Sequence, residues 1–187
     1  MGSKIYQLKV TLRGSRPSIW RRVEVDAGVT LFQLHQILQV VMGWTDSHLH
    51  QFRRGSTYYG ESDPEFGMER ENERRIRLRE VLRKTNERMV YEYDFGDGWE
   101  HDIVLETISS AASEKPAVRV LAGKGACPPE DVGGIGGYYG FLEALRNPKH
   151  PEHREMLEWG GQFDPDAFEV DEINEYFQKR SRKRRDA

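Results

Sequence analysis

The sequence is short of cysteine, of long apolar runs and of surplus charge, and each shortage removes a class of protein. Cys127 is the single cysteine in 187 residues, which excludes an internal disulfide framework and suits a reducing compartment. No apolar run approaches the roughly 20 residues of a membrane helix. The best stretch, Leu31 to Met42, is broken by Gln33, His35, Gln36 and Gln39. Met1 to Tyr6 lacks a signal-peptide apolar region and the hydroxyl residue of a myristoylation site, and no prenylation box closes the sequence. The expectation is a cytoplasmic protein with no membrane partner. A net charge of −3 excludes a molecule that is basic throughout and grips nucleic acid with its whole surface.

What is present argues for a folded core. The 4 Trp, 8 Tyr and 8 Phe are too many for an intrinsically disordered chain, and the length suits one domain. Charge is unevenly placed. Lys179, Arg180, Arg182, Lys183, Arg184 and Arg185 crowd the end of the sequence, and without residues 179–187 the remainder holds 22 basic against 30 acidic side chains. The expected organisation is a single domain over 1–178 and a basic tail over 179–187, which is disordered or a frayed extension of the last helix. The tail is either a sequence-blind phosphate contact or a solubilising end.

Periodicity supplies the elements. Lys4–Arg13 alternates, with Leu8, Val10 and Leu12 inward, and Ile19–Val25 is a second strand on whose apolar face Arg21 is the odd residue. Thr30 and Gln33 form a capping box, Leu31, Leu34, Leu38 and Val41 recur at helical spacing, and Gly43 ends the helix. Residues 49–54 and 57–59 read as a hairpin, 69–75 as a mobile polar loop and 78–82 as a brief helix. Met89–Phe95 alternates, Asp97-Gly98 signals a two-residue hairpin, and Trp99–Ile108 returns. A strand at 118–121 precedes helices at about 138–146 and 152–159. A short helix opens at Asp164-Pro165, and a last one, capped by Asp171, covers 172–179. Strands thus come first and helices later. That order predicts an α+β fold: a mostly antiparallel sheet built from hairpins, with one early helix and a C-terminal helical layer.

Several blocks follow one another in fixed order: Leu12-x-Gly14-x-x-Pro17-x-Ile19-Trp20-Arg21-Arg22, Thr30-Leu31-x-x-Leu34-His35, Met42-Gly43-Trp44, His48-Leu49-His50-x-Phe52, Tyr93-Asp94-Phe95-Gly96-Asp97-x-Trp99-x-His101 and Cys127-Pro128-Pro129-Glu130-Asp131-x-Gly133-Gly134. Over about residues 4–177 this pattern resembles the plasmid-encoded Ri-type ORF-3-like family, also labelled the insertion-element passenger TnpR family. The resemblance implies an α+β fold carried near plasmids and mobile elements, and no established activity. The second label suggests a resolvase, but the Tyr-x-Arg-Val-Ser nucleophile block and the C-terminal helix-turn-helix of a serine resolvase are absent.

Four groups of residues can carry chemistry. His48 and His50 share a face if they lie on a strand, and with His101 and Asp97 they form a candidate divalent-metal site; without a metal the same groups suit acid–base work or structural hydrogen bonds. Asp94, Asp97, Glu100 and Asp102 form an acidic hairpin of the kind that holds Mg²⁺, but Asp94, Glu100 and Asp102 are expected on the side away from His101, so a solvated face with an Asp-Gly turn competes. Cys127, Glu130 and Asp131 lead into glycines before a helix. Neither a dinucleotide fingerprint nor a P-loop is completed there, so a structural turn competes with a nucleophilic site at Cys127. Trp20, Arg21, Arg22 and Trp44 suit stacking on nucleic acid or packing on a sheet. Trp99 completes the set of candidates.

Two classes of function follow. One is a non-catalytic module that recognises a protein or nucleic-acid partner; the other is a metal-dependent, hydrolase-like enzyme centred on His48, His50, His101 and Asp97. The absence of a complete catalytic template favours the first.

Overall fold

Inward-facing Leu8, Val10, Val23, Val25, Tyr91, Ile103 and Leu105 line one face of a single sheet and are closed off from solvent. The computed structural model describes residues 4–62, 69–110 and 118–183. The strands are β1 (Lys4–Leu12), β2 (Trp20–Asp26), β3 (His50–Arg54), β4 (Thr57–Gly60), β5 (Glu71–Asn72), β6 (Arg88–Tyr93), β7 (Trp99–Ser110) and β8 (Val118–Lys124). They form an eight-stranded sheet in the order β5-β4-β3-β6-β7-β1-β2-β8. Its pairings are antiparallel except for the short parallel contact of β4 with β5. The helices are α1 (Leu31–Met42), α2 (Leu78–Val81), α3 (Gly134–Arg146), α4 (His153–Gly160) and α5 (Val170–Lys183). The fold is α+β, with one early helix and a C-terminal helical layer, as the element order predicted.

α1 forms where its chemistry says it should. Thr30 Oγ1 accepts from the Gln33 backbone N–H at 3.2 Å, and Gln33 Oε1 accepts from Thr30 N at 2.9 Å. Gly43 closes the helix at φ 101°, a left-handed conformation that glycine adopts without steric cost. Leu31, Leu34, Leu38 and Val41 are buried and pack into the same core as the sheet.

Arg21, the odd residue of β2, is buried within that core at 1 % exposure. Its Nε donates to Val41 O, and its Nη1 donates to Trp20 O and Lys124 O, each at 3.0 Å. The guanidinium also lies over the Phe168 ring, 3.9 Å from its centroid. It clamps the end of α1 to the end of β8 and is not part of a polar site.

Local readings differ from the structure at five places. The β6–β7 connection is a five-residue loop, 94–98, because Tyr93 pairs with Trp99 and Gly98 N donates to Asp94 O. α3 begins at Gly134, inside the glycine stretch. A Cβ on Gly137 would lie 1.8 Å from Val132 O, so the close approach of backbone, and not flexibility, explains that glycine. Asp164-Pro165 opens a turn in which Asp164 Oδ1 accepts from Asp166 N at 2.9 Å, not a helix. Residues 69–75 include β5 and a Glu73 that is only 4 % exposed. Finally, α5 starts at Val170, which places Asp171 inside its first turn, and continues through Lys183. The basic run is therefore helical from Lys179 to Lys183; Arg184 and Arg185 lie outside the described residues. No helix among the described residues is long and apolar enough to cross a membrane.

Candidate metal centre

Three connections meet at one end of the sheet: the loop after α1 (residues 43–49), the β6–β7 loop (94–98) and the segment before α3 (127–133). Trp44 anchors the first, buried against Tyr93, Trp99 and His101 with ring centroids 4.8, 6.1 and 5.1 Å away. Its Nε1 donates to Pro128 O at 3.2 Å, which ties the third connection to the first. Asp97 ties the second to the third, because its carboxylate accepts from Gly133 N at 3.1 Å. A Cβ on Gly134 would stand 2.5 Å from Asp97 O, so the corner closes only on glycine.

His48 lies at the centre of this junction. It precedes β3 and is not on a strand, so His48 and His50 do not share a face as predicted. Its Nε2 lies 3.2 Å from Asp131 Oδ1, 3.7 Å from Asp94 Oδ2 and 3.7 Å from Glu130 Oε2. That nitrogen is buried, yet it makes no hydrogen bond. Asp94 is held by one oxygen and turns the other towards His48, while the Glu130 oxygen nearest His48, Oε2, also accepts from the Tyr93 hydroxyl at 3.3 Å. Asp94 Oδ1 accepts from Gly96 N at 2.9 Å and Asp97 N at 3.3 Å. Glu130 Oε1 accepts from Thr45 N at 2.9 Å, Thr45 Oγ1 at 3.1 Å and the Tyr93 hydroxyl at 3.1 Å. Burial, followed by the neighbouring Glu130 carboxylate, holds the Tyr93 phenol above its ordinary value, so it remains a donor.

These separations, 3.2 to 3.7 Å, are close to those that a single ion imposes on its ligands. Ligand atoms at about 2.0–2.2 Å from a small divalent cation stand roughly 3.0–3.6 Å from one another. One atom each from His48, Asp94 and Asp131 lies within 4.8 Å of the other two. Asp94 and Asp131 both adopt positive φ, 56° and 57°, a conformation uncommon for residues other than glycine.

A second cluster lies beside the first and differs from it in kind. His35 and His50 stack with ring centroids 3.4 Å apart and an interplanar angle of 1°. Asp46 N donates to Gln39 Oε1, and Gln39 Nε2 donates to the Tyr91 hydroxyl. The hydroxyl hydrogen is thereby free for His35 Nδ1 at 2.9 Å, and His35 Nε2–H donates to Asp46 at 2.8 Å. His50 Nε2 bonds buried Glu73 at 2.9 Å. Asp46 also has positive φ, 58°, and one atom each from His35, Asp46 and His50 falls within metal-ligand reach. Their hydrogen bonds, however, are satisfied without an ion. Burial, followed by the His50 ring, lowers the His35 pKa and keeps it neutral.

The predicted set of His48, His50, His101 and Asp97 is therefore not one constellation. Among the described residues, neither cluster of metal-ligating groups includes His101 or Asp97. His101 is fully buried on β7, its Nδ1 donates to Tyr91 O at 3.3 Å, and burial pushes its pKa down to about 4. Trp99 is a core residue of the same face. Cys127 is a half-buried residue packed against the core near Arg21, and burial raises its thiol well above the ordinary value, which disfavours the thiolate a nucleophile needs. Glu100 and Asp102 face the other side of the sheet, where both pair with Arg13 at 2.6 and 2.7 Å. Trp44 is buried. Arg22 pairs with Glu106 beside Trp20, so this part of the stacking group is used within the chain.

Asp94 and the cluster of His35, Asp46 and Glu73 were not assigned as ligands from the sequence. Alternation placed Asp94 away from the site, and only its left-handed backbone turns it inward. His35 sits at a helical core position, which suggests packing and nothing more.

A family model described as plasmid pRiA4b ORF-3-like protein matches residues 4–172. The chain is 44% identical over 169 residues to an uncharacterised protein, y4hQ, of Sinorhizobium fredii (strain NBRC 101917 / NGR234), covering 89% of this chain and 86% of that protein. A crystal structure of a protein of unknown function, MM3350 from Methanosarcina mazei Go1, superposes with a TM-score of 0.83 at 32% identity. That alignment covers 92% of this chain and 98% of that one.

Proposed function

This chain belongs to the plasmid pRiA4b ORF-3-like family, and we propose that it is a divalent-metal-dependent enzyme of the hydrolytic type, with the ion held by His48, Asp94 and Asp131 and with Glu130 beside it. The observation that carries this reading is the buried Nε2 of His48, which makes no hydrogen bond while three carboxylates converge on it. A buried polar atom normally has a partner, and a metal ion satisfies this nitrogen and the Asp94 and Asp131 carboxylates together. Carboxylate-rich ligation with one imidazole suits Mg²⁺, Mn²⁺ or Zn²⁺ better than a soft ion. Such an ion acidifies a bound water and polarises the bond to be cleaved. Asp131, with its side chain 70% exposed, provides the open side by which substrate reaches the ion.

The test is metal analysis and calorimetric titration of the purified protein with Mg²⁺, Mn²⁺, Zn²⁺ and Ca²⁺. Stoichiometric uptake of one ion, lost in His48→Ala and Asp94→Asn and retained in His101→Phe, is the expected result. Failure of every ion to bind the folded protein would end the enzyme reading and leave the non-catalytic module that recognises a protein or nucleic-acid partner.

A further inference from the structure

Asp131 also lines a cleft of about 580 Å³ between α3 and α4. This volume lies in the range of small-molecule sites, roughly 300–1,000 Å³. The apolar lining is Val132, Phe141, Met156 and Trp159. Trp159 is 49% exposed and sits edge-to-face on Phe141, with ring centroids 5.6 Å apart at 82°. Exposure of this kind costs hydration free energy that an apolar occupant recovers.

The polar lining has one sign. Asp131, Glu155 and Glu158 border the cleft, and no Lys, Arg or His is among the described residues that line it. Glu158 is paired with Arg154 at 2.8 Å on the outer surface, which leaves Asp131 and Glu155 as the acids facing a ligand. An anionic ligand such as a phosphate or a carboxylate would meet repulsion from both. A cation gains attraction from the same two groups and from the faces of the aromatic rings.

We propose that this cleft binds a small organic amine, a protonated ammonium or guanidinium carried on an aromatic or branched apolar body. The body lies between Met156, Phe141 and Trp159, and the charge is directed at Glu155 and Asp131. Because Asp131 also faces His48, the occupant is placed beside the proposed ion. That second step rests on the metal-enzyme reading, whereas binding in the cleft does not.

The experiment measures binding of phenethylamine, 2-phenylethanol and 3-phenylpropionate to the full chain by calorimetry, once with EDTA and once with Mn²⁺. In EDTA the amine is expected to bind, the alcohol more weakly, and the carboxylate at least about tenfold more weakly than the amine; Mn²⁺, by taking up the Asp131 charge, should weaken the amine. Glu155→Gln and Trp159→Leu, both on the exposed face of α4 and checked for folding by circular dichroism, should each weaken the amine by about tenfold. Equal binding of amine and carboxylate in EDTA, or an amine affinity unmoved in both variants, overturns the proposal. Amine binding in EDTA without any metal uptake would sink the enzyme reading and leave the cleft proposal standing.

Discussion

His101 offers a direct measure of what the core enforces. The imidazole is fully buried, flanked by Trp44 and Tyr91, and paired across the sheet with Tyr91 and Leu12. Burial is the largest cause of its low pKa of about 4; the Arg21 charge works in the same direction, while hydrogen bonds to Tyr91 and Trp99 backbone and the Asp102 charge oppose it. In the unfolded chain a histidine titrates near 6.5. Between about pH 6.5 and pH 4 the unfolded chain therefore binds a proton that the folded one refuses, so stability falls as pH falls through this window. With each pH unit worth about 1.4 kcal/mol, the full loss attributable to His101 is about 3.5 kcal/mol, of which about 3 kcal/mol is reached by pH 4. For a chain of this size that corresponds to roughly 6–12 °C in Tm.

Urea unfolding followed by tryptophan fluorescence at pH 7.0, 5.5 and 4.0 (chosen, by the same linkage, to bracket the window) reads the effect. In His101→Phe, which keeps a flat ring in the same slot, the acid loss should shrink by about 3 kcal/mol relative to the parent. His101→Leu is a second form of the test if the larger ring is not accommodated. Parallel pH profiles for parent and variants would refute the reasoning, as would a His101 ring proton titrating near 6.5 in the folded state by NMR.

Three further outcomes follow from the packing and the proposed ion. Arg21→Met removes three hydrogen bonds to backbone carbonyls but also the cost of a buried charge, and should lower stability by about 2–4 kcal/mol in denaturant titration; an unchanged midpoint would show that the clamp contributes nothing. Gly137→Ala drives a methyl group against Val132 O and should cost about 2 kcal/mol or more. Gly140→Ala, with no atom in reach of the added carbon, should gain about 0.5–1 kcal/mol of helix propensity, so thermal melts of the two variants should shift in opposite directions. Saturation with the preferred ion at about 100 times its Kd should stabilise the protein by about 2.7 kcal/mol, or roughly 5–11 °C in Tm. That shift should be abolished by EDTA and absent in Asp94→Asn.

What was legible in the sequence was what local chemistry controls. The capping box of Thr30 and Gln33, the terminal Gly43 and the alternation along β1, β6 and β7 depend on neighbours a few residues apart, and each formed where the pattern put it. Arg21 was visible as a misfit on an apolar face, and the structure shows why it is tolerated: three carbonyls from separate elements converge on it. The α+β class followed from strands preceding helices.

The site was decided by tertiary structure. Two histidines two residues apart enter different clusters because the chain is not yet a strand at His48, and register with β6 begins only at His50. Asp94 and Asp131 point at His48 through left-handed backbone conformations that depend on how the loops are closed from outside. Three loops separated by tens of residues are brought together by Trp44, Asp97 and Gly134. Residue types and spacing encode a period along one segment, but the meeting of carboxylates from three segments is fixed only when the core beneath them is packed.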